Sequence, residues 1–205
     1  MKLFKQNSYE IIRLFINQIG ITIFSLVLYT GLSISEDKTT ALKITVLLSV
    51  FATLFYLVLL YFAGWEYGSK DKIRIDSGKY KAVAFKGIKL SLYANFLNIL
   101  LALLSVAFFA IAISGGSMWF DTIARIFNMI LRFTSAMYHG MVQGIINSFP
   151  SDAVSTYMVE AACFGLFIIL PIFATQLGYY LGMRNIKISS LFKGKAPAVN
   201  KDDNN

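Results

Sequence analysis

Four long stretches of the chain contain no charged residue. They cover residues 14–34, 44–65, 90–113 and 161–182. Each is longer than the roughly 20 helical residues that cross a hydrocarbon core of about 30 Å. Only helices and closed barrels satisfy the backbone within lipid, and these stretches lack the alternation of a barrel strand. The pattern therefore predicts an all-α, polytopic membrane protein with four transmembrane helices.

Composition supports the same class of protein. Hydrophobic residues make up 57% of the chain and charged residues 15%, and the mean hydropathy is +0.63. Soluble domains carry about a quarter charged residues, so a soluble globule is disfavoured. The first apolar stretch exceeds the core of about 7–15 residues in a signal peptide and is expected to stay as an anchor. We expect one transmembrane domain over residues 1–192 and a disordered cytoplasmic tail over 193–205.

The basic residues predict the orientation. Fifteen of the 19 lie at the N-terminus, between the second and third stretches, or after the fourth, which are the three segments on one side of a four-span bundle. Because cytoplasmic segments retain positive charge, we expect both termini in the cytoplasm and the protein in the cell membrane. The same clusters favour anionic lipid head groups, and without a nucleic-acid-binding module we expect no nucleic-acid partner.

The basic segment between the second and third stretches contains a turn signal at Asp76-Ser77-Gly78. The preferred interpretation is an interfacial helix that begins near Lys79 and leads into the third span. The alternative is a β-hairpin that pairs residues 72–75 with 79–83 across this turn.

The segment 117–149 carries polar residues at steps of three and four, which is typical of one face of a helix. The members of this polar stripe are Asp121, Arg125, Asn128, Arg132, Ser135, His139, Gln143 and Asn147. Asp121 and Arg125 are spaced as a helical ion pair. The preferred placement is an amphipathic helix at the outer face, broken near Gly140, because burying these charges in lipid is costly. A fifth span and a re-entrant hairpin are the alternatives.

Five amides lie at one level near the cytoplasmic ends of the predicted spans. This polar layer consists of Asn17, Gln18, Asn95, Asn98 and Gln176. Hydrogen bonds between helices are its simpler explanation. A cytoplasm-facing vestibule for a small polar solute is the functional alternative.

Three further features concern helix packing and helix ends. Glycines spaced four apart, at 64 and 68, 140 and 144, and 178 and 182, predict close helix contacts. Pro171 is expected to bend the fourth span, because it lacks a backbone donor. Glu160 is expected at the start of that span, where its charge would favour the helix N-terminus.

The sequence offers little chemistry for an enzyme. One His and one Cys cannot form a metal cluster, and no nucleophile or nucleotide motif is present. We therefore expect no catalytic residues, no metal and no cofactor. The leading hypothesis is a non-enzymatic membrane component that binds a protein partner or self-associates as a homo-oligomer. The alternative is a small transporter or channel subunit. The high ratio of lysine to arginine suggests a bacterial source.

Overall fold

The computed structural model of the chain describes residues 7–32, 38–79, 81–147 and 153–186. All regular elements within these ranges are helical. They are α1 (Ser8–Leu32), α2 (Lys38–Asp76), α3 (Lys86–Ala94), α4 (Phe96–Ile113), α5 (Met118–Thr134), a 3₁₀ turn (Ala136–Tyr138), α6 (His139–Ile146), α7 (Ala153–Phe167) and α8 (Ile169–Met183). The all-α prediction is confirmed for this part of the chain, and the tail over 193–205 lies outside it.

Four helices are long and apolar enough to span a membrane. They cover Ser8–Gly31, Thr40–Asp76, Phe96–Ile113 and Val154–Met183, the last formed by α7 and α8 together. All four overlap the predicted stretches, but their ends differ. The predicted third span, 90–113, is divided at Asn95, because its side-chain nitrogen donates to the backbone oxygen of Ser91 and the chain leaves helical geometry there.

The fourth apolar helix starts earlier than the sequence predicts. It begins at Ala153, so Glu160 lies in its second turn and not at its N-terminus. The expected end position of Glu160 is therefore wrong. The helix is interrupted at Ile168, where the backbone N–H bonds to Gly165. Pro171 explains this interruption, since it gives no N–H to the turn before it.

The connection between α2 and α3 also differs from the prediction. Residues 72–75 belong to α2, so no hairpin forms, and α3 begins at Lys86 and not near Lys79. The predicted turn is present: Gly78 has a φ of 72°, and Lys79 N–H donates to Arg74 O over 3.0 Å. This pattern is a Schellman C-cap, in which glycine adopts the left-handed conformation at no steric cost.

The glycine pairs mark the closest helix contacts. A Cβ added to Gly64 would lie 2.5 Å from Thr175 O, and one added to Gly178 would contact Tyr61 O. Gly68 and Gly182 face backbone atoms of the opposite helix in the same way. Helices α2 and α8 therefore pack side by side and run parallel. The predicted topology has the same relation, because its second and fourth spans both run from the outer side to the cytoplasmic side.

The 3₁₀ turn joins α5, which packs against α4, to α6, which packs against α2, and we call these three elements the hairpin. Its tip lies beside the middle of α1, where Thr22 Oγ1 donates to Thr134 O over 3.0 Å, and beside α2, where Ser49 Oγ donates to Met137 O over 2.6 Å. Gly140 of α6 contacts the backbone of α2 at Thr45. The polar side chains of α1 and α2 thus bind the carbonyl groups that the helix break exposes.

Candidate functional site

A buried carboxylate faces the polar stripe of α5. Glu160 of α7 is 1% exposed, and Asn128 of α5 is 2% exposed. The side-chain nitrogen Nδ2 of Asn128 donates to Glu160 Oε2 over 3.1 Å, and Arg132 Nη2 donates to the same oxygen. Asn128 and Arg132 are one helical turn apart, so both reach Glu160 from one face of α5. With Tyr157, these three residues form what we call the Glu160 site.

Aromatic packing positions the cations of this site. The guanidinium carbon of Arg132 lies 5.4 Å from the ring centre of Tyr157, and that of Arg125 lies 4.7 Å from it. The Tyr157 ring stacks on Phe109 of α4, with ring centres 6.1 Å apart. Arg125 also forms the predicted ion pair with Asp121, at 2.9 Å. Tyr157 therefore connects α5 to α4 through one stacking contact and two cation–π contacts.

The hydrogen bonds of the Glu160 site are unevenly distributed. Glu160 Oε2 accepts two of them, whereas Glu160 Oε1 and Asn128 Oδ1 are buried and accept none among the described residues. A buried oxygen without a donor is costly, and native structures contain few. The site therefore has two acceptor atoms that a proton, a water molecule or another donor could satisfy.

The part of the polar stripe that follows Arg132 makes no hydrogen bond to this site among the described residues. The 3₁₀ turn interrupts the stripe after Arg132, close to the break expected near Gly140. His139 packs against Tyr29 of α1, with ring centres 6.0 Å apart, and Gln143 is half-buried on α6. The stripe is thus split between two helices.

The five amides of the polar layer have separate roles. Gln176 Oε1 accepts the backbone N–H of Ile88 over 3.1 Å, Gln18 Nε2 donates to Thr134 O over 3.4 Å, and Asn95 bonds locally. Asn98 is buried on α4 and Asn17 is half-buried on α1. Among the described residues no hydrogen bond joins two of these amides. Gln18, Asn95 and Gln176 thus bond to backbone atoms, the first and the last across helices.

A second buried charge cluster lies where α1, α2, α3 and α8 meet. Lys86 and Asp71 are both 0% exposed, and Lys86 Nζ lies 2.8 Å from Asp71 Oδ2 and 3.2 Å from Glu10 Oε2. Tyr179 donates its hydroxyl to Asp71 Oδ2 over 2.9 Å. Burial alone would lower the pKa of Lys86, but the hydrogen bond to Asp71 and the two negative charges outweigh it and raise that pKa. We call this cluster the Lys86 site.

The residues just before Asp71 brace the same end of the bundle. Trp65 Nε1 donates to Ile186 O over 2.8 Å, Glu66 pairs with Arg13 at 2.7 Å, and Tyr67 OH donates to Glu10 O over 3.4 Å. With Gly64 and Gly68 in the α2–α8 contact, this part of α2 holds α1, α3 and α8 together.

Sequence reasoning missed both carboxylate sites. It placed Lys86 on an interfacial helix, gave Asp71 no role and placed Glu160 at a helix end. The burial of Lys86 and Asp71 follows from contacts between helices distant in sequence, which spacing does not reveal. A signal for Glu160 was present, because an acid beside an apolar run requires a partner and the stripe of α5 supplied arginine and asparagine.

Comparison with protein-family models, curated proteins and solved structures finds no match to this chain. In the part of the chain that the structure describes, no group of three or more His, Cys, Asp or Glu side chains is placed to hold a metal ion.

Proposed function

We propose that the chain is a multi-pass protein of the cell membrane with both termini in the cytoplasm. The four apolar helices would span the bilayer, and the basic residues support this orientation. The Lys86 site fits it too. Asp71 lies about 46 Å along α2 from Thr40, beyond a hydrocarbon core of about 30 Å, so these charges would sit at the cytoplasmic surface.

The hairpin of α5 and α6 would be re-entrant from the outer side. Ser49 and Thr22, which bind its tip, lie about 17 Å and 15 Å from the outer ends of α2 and α1, near the middle of the core. Helix α5 also turns its polar residue Asn128 inward and large apolar side chains outward, with Met118 84% and Trp119 75% exposed. An outward apolar face suits lipid and not water. These contacts favour the re-entrant placement over a helix lying on the outer surface.

The function that this geometry best supports is transport of a small ion or polar solute, as a transporter or channel subunit. The observation that carries the proposal is Glu160, a buried carboxylate that meets the inward polar face of the hairpin about 9 Å below Val154. Ionisable residues within a membrane are expensive and commonly mark ion or substrate pathways. Non-helical backbone at membrane depth, as at the hairpin tip, is likewise typical of transporters and channels.

A flux assay tests this proposal. The purified full-length chain is reconstituted in liposomes, and proton, Na⁺ and K⁺ fluxes are measured with fluorescent indicators. We expect flux above that of empty liposomes, with a large decrease for Glu160→Gln. Glu66→Gln is the matched control, because Glu66 is half-exposed and lies far from the hairpin. Flux equal to that of empty liposomes, with the protein verified as inserted, would contradict the proposal for these ions.

The second candidate is the partner-binding or self-associating membrane component that the sequence ranks first, without enzymatic activity. The outward face of α5 supports it, because several large apolar residues there are exposed: Met118, Trp119, Ile126, Met129, Ile130 and Phe133. Such a face could pack against a helix of a second copy. Mass measurement after extraction in mild detergent tests this candidate, which predicts an oligomer that Trp119→Ala and Met129→Ala weaken.

A further inference from the structure

The Glu160 site contains half of a familiar hydrogen-bonded pair. A carboxylic acid and a primary amide can join through two bonds, one from the amide nitrogen to the acid and one from the acid hydroxyl to the amide oxygen. The first bond is present, from Asn128 Nδ2 to Glu160 Oε2 at 3.1 Å. The two atoms of the second bond, Glu160 Oε1 and Asn128 Oδ1, are the two acceptors that lack a donor. A proton on Oε1 would satisfy the first of these oxygens, and a hydrogen bond from that hydroxyl to Oδ1 would satisfy the second.

We propose that Glu160 binds a proton and is the coupling residue of the transporter, with Asn128 as acceptor for the proton and Arg132 as the cation that the proton displaces. This inference rests on the proposed function for its coupling role. In one state the carboxylate pairs with Arg132. In the other state the proton has moved from water to Oε1, the neutral acid bonds to Asn128, and Arg132 keeps its contact with Tyr157.

The surroundings of Glu160 leave Arg132 as its direct counter-charge. Helix α4 carries no titratable side chain, and α8 carries only tyrosines, near its far end. Helix α6 contributes His139, and α7 itself contributes Tyr157 and Cys163. The other charges of α5, Asp121 and Arg125, are bound to each other. Protonation of Glu160 would therefore release Arg132 with little competition from other groups.

The exchange would couple proton binding to movement. Asn128 and Arg132 both belong to α5, so a change of partner at Glu160 alters the forces between α5 and α7. Side-chain hydrogen bonds from α1 and α2 hold the hairpin at its tip, and among the described residues no ion pair joins it to these two helices; the donors are Gln18, Thr22, Tyr29, Ser49 and Thr53. A shift of the hairpin relative to α7 is the movement that such coupling requires.

Infrared difference spectroscopy tests the site directly. The full-length protein in liposomes is titrated from about pH 9 to about pH 4, a range that includes shifted carboxyl groups. We expect a carbonyl band of a buried carboxylic acid that grows on acidification and is absent in Glu160→Gln. Glu66→Gln is the control and should retain the band. If wild type and Glu160→Gln give the same difference spectrum, the proposal is wrong.

Two further variants separate the roles of the neighbours. Arg132→Gln removes the opposing cation and should raise the midpoint of the band by about 1–3 pH units, whereas Arg132→Lys should restore it. Asn128→Leu removes the acceptor and should shift the carbonyl frequency. If the carbonyl frequency is the same in Asn128→Leu as in the wild type, another acceptor, such as water, binds the proton. That result would overturn the role of Asn128.

A measurement on the unmodified protein covers the case in which a variant does not fold. A hydrophobic carbodiimide reacts with protonated carboxyl groups in apolar surroundings, and mass spectrometry locates the adduct. We expect labelling of Glu160 that increases as the pH falls, and no such labelling would contradict the proposal. Titration of Glu160 without flux in liposomes would refute transport and leave the proton site standing. Flux without titration of Glu160 would refute the proton site and leave the proposed transport standing.

Discussion

The two buried carboxylate sites differ in how completely their helices enclose them. At the Lys86 site, four helices contribute, and Asp71 receives both the Lys86 ammonium and the Tyr179 hydroxyl. At the Glu160 site, the ligands come from α5 and α7, Arg132 is 36% exposed, and two acceptor oxygens lack a donor. Two buried oxygens of the Lys86 site, Asp71 Oδ1 and Glu10 Oε2, also lack a hydrogen-bond donor among the described residues, so the two sites differ in the number of helices that they join and in the exposure of their cations.

The difference indicates which site can change state. Moving a residue of the Lys86 site would break contacts among α1, α2, α3 and α8 together. Moving α5 relative to α7 would break the two hydrogen bonds to one oxygen of Glu160 and the cation–π contacts with Tyr157, which are contacts between two helices. A buried charge network that joins four helices makes the fold more rigid than one that joins two, because more contacts have to change together. We therefore expect substitutions at the Lys86 site to affect stability and those at the Glu160 site to affect activity.

The largest expected effect is the loss of Lys86. Lys86→Met leaves Asp71 buried without its cation and should lower the free energy of unfolding by about 3–5 kcal/mol. The measurement is unfolding in mixed micelles with increasing SDS, followed by circular dichroism. Lys89→Met is the matched control, because Lys89 is exposed on the same helix. If Lys86→Met and Lys89→Met have equal free energies of unfolding, the Lys86 site does not stabilise the fold, and the two sites do not differ as we expect.

The sequence predicts the four apolar helices well, because uninterrupted hydrophobicity over about 20 residues is a local property. It predicts the glycine contacts and the Gly78 turn for the same reason. The sequence does not predict where the third span begins. Asn95 lies within an apolar run, and its own side chain ends the preceding helix. The depth of the hairpin depends on Ser49 and Thr22, which are separated from it by more than 80 residues and carry no charge to reveal them.

The α2–α8 contact, which borders the Lys86 site, should be the next most sensitive feature. Gly178→Ala places a methyl group against the backbone of Tyr61 and should lower the free energy of unfolding by about 1–3 kcal/mol. Gly20→Ala is the control, because a Cβ at Gly20 has no heavy atom within 4 Å. The same SDS titration compares the two. An unchanged free energy of unfolding in Gly178→Ala would show that the end of the bundle with the Lys86 site is not rigid, contrary to the difference drawn between the two sites.

The hairpin tip should be more tolerant. Ser49→Ala removes the shortest bond to Met137 O, but Thr53 Oγ1 remains 3.4 Å from that oxygen. We expect a loss of about 0.5–1.5 kcal/mol in the free energy of unfolding. Thr30→Ala serves as control, since its hydroxyl bonds within an exposed part of α1. Flux in liposomes should fall more than stability does, because the tip positions the hairpin. If Ser49→Ala changes the free energy of unfolding and leaves the flux unchanged, the hydrogen bond from Ser49 to Met137 O serves folding and not transport.

The smallest effect is expected at the exposed end of the Glu160 site. The pair of Asp121 and Arg125 has half-exposed side chains, and such pairs contribute about 0.2–1 kcal/mol. Arg125→Gln should therefore hardly change the free energy of unfolding. It also removes one of the two cations over Tyr157, and the remaining cation, Arg132, is the one that binds Glu160. If the exchange at Glu160 operates, Arg125→Gln should leave the midpoint of the infrared band nearly unchanged, whereas Arg132→Gln shifts it. Equal shifts from both arginines would mean that the general positive field of α5, and not one ion pair, sets the protonation of Glu160.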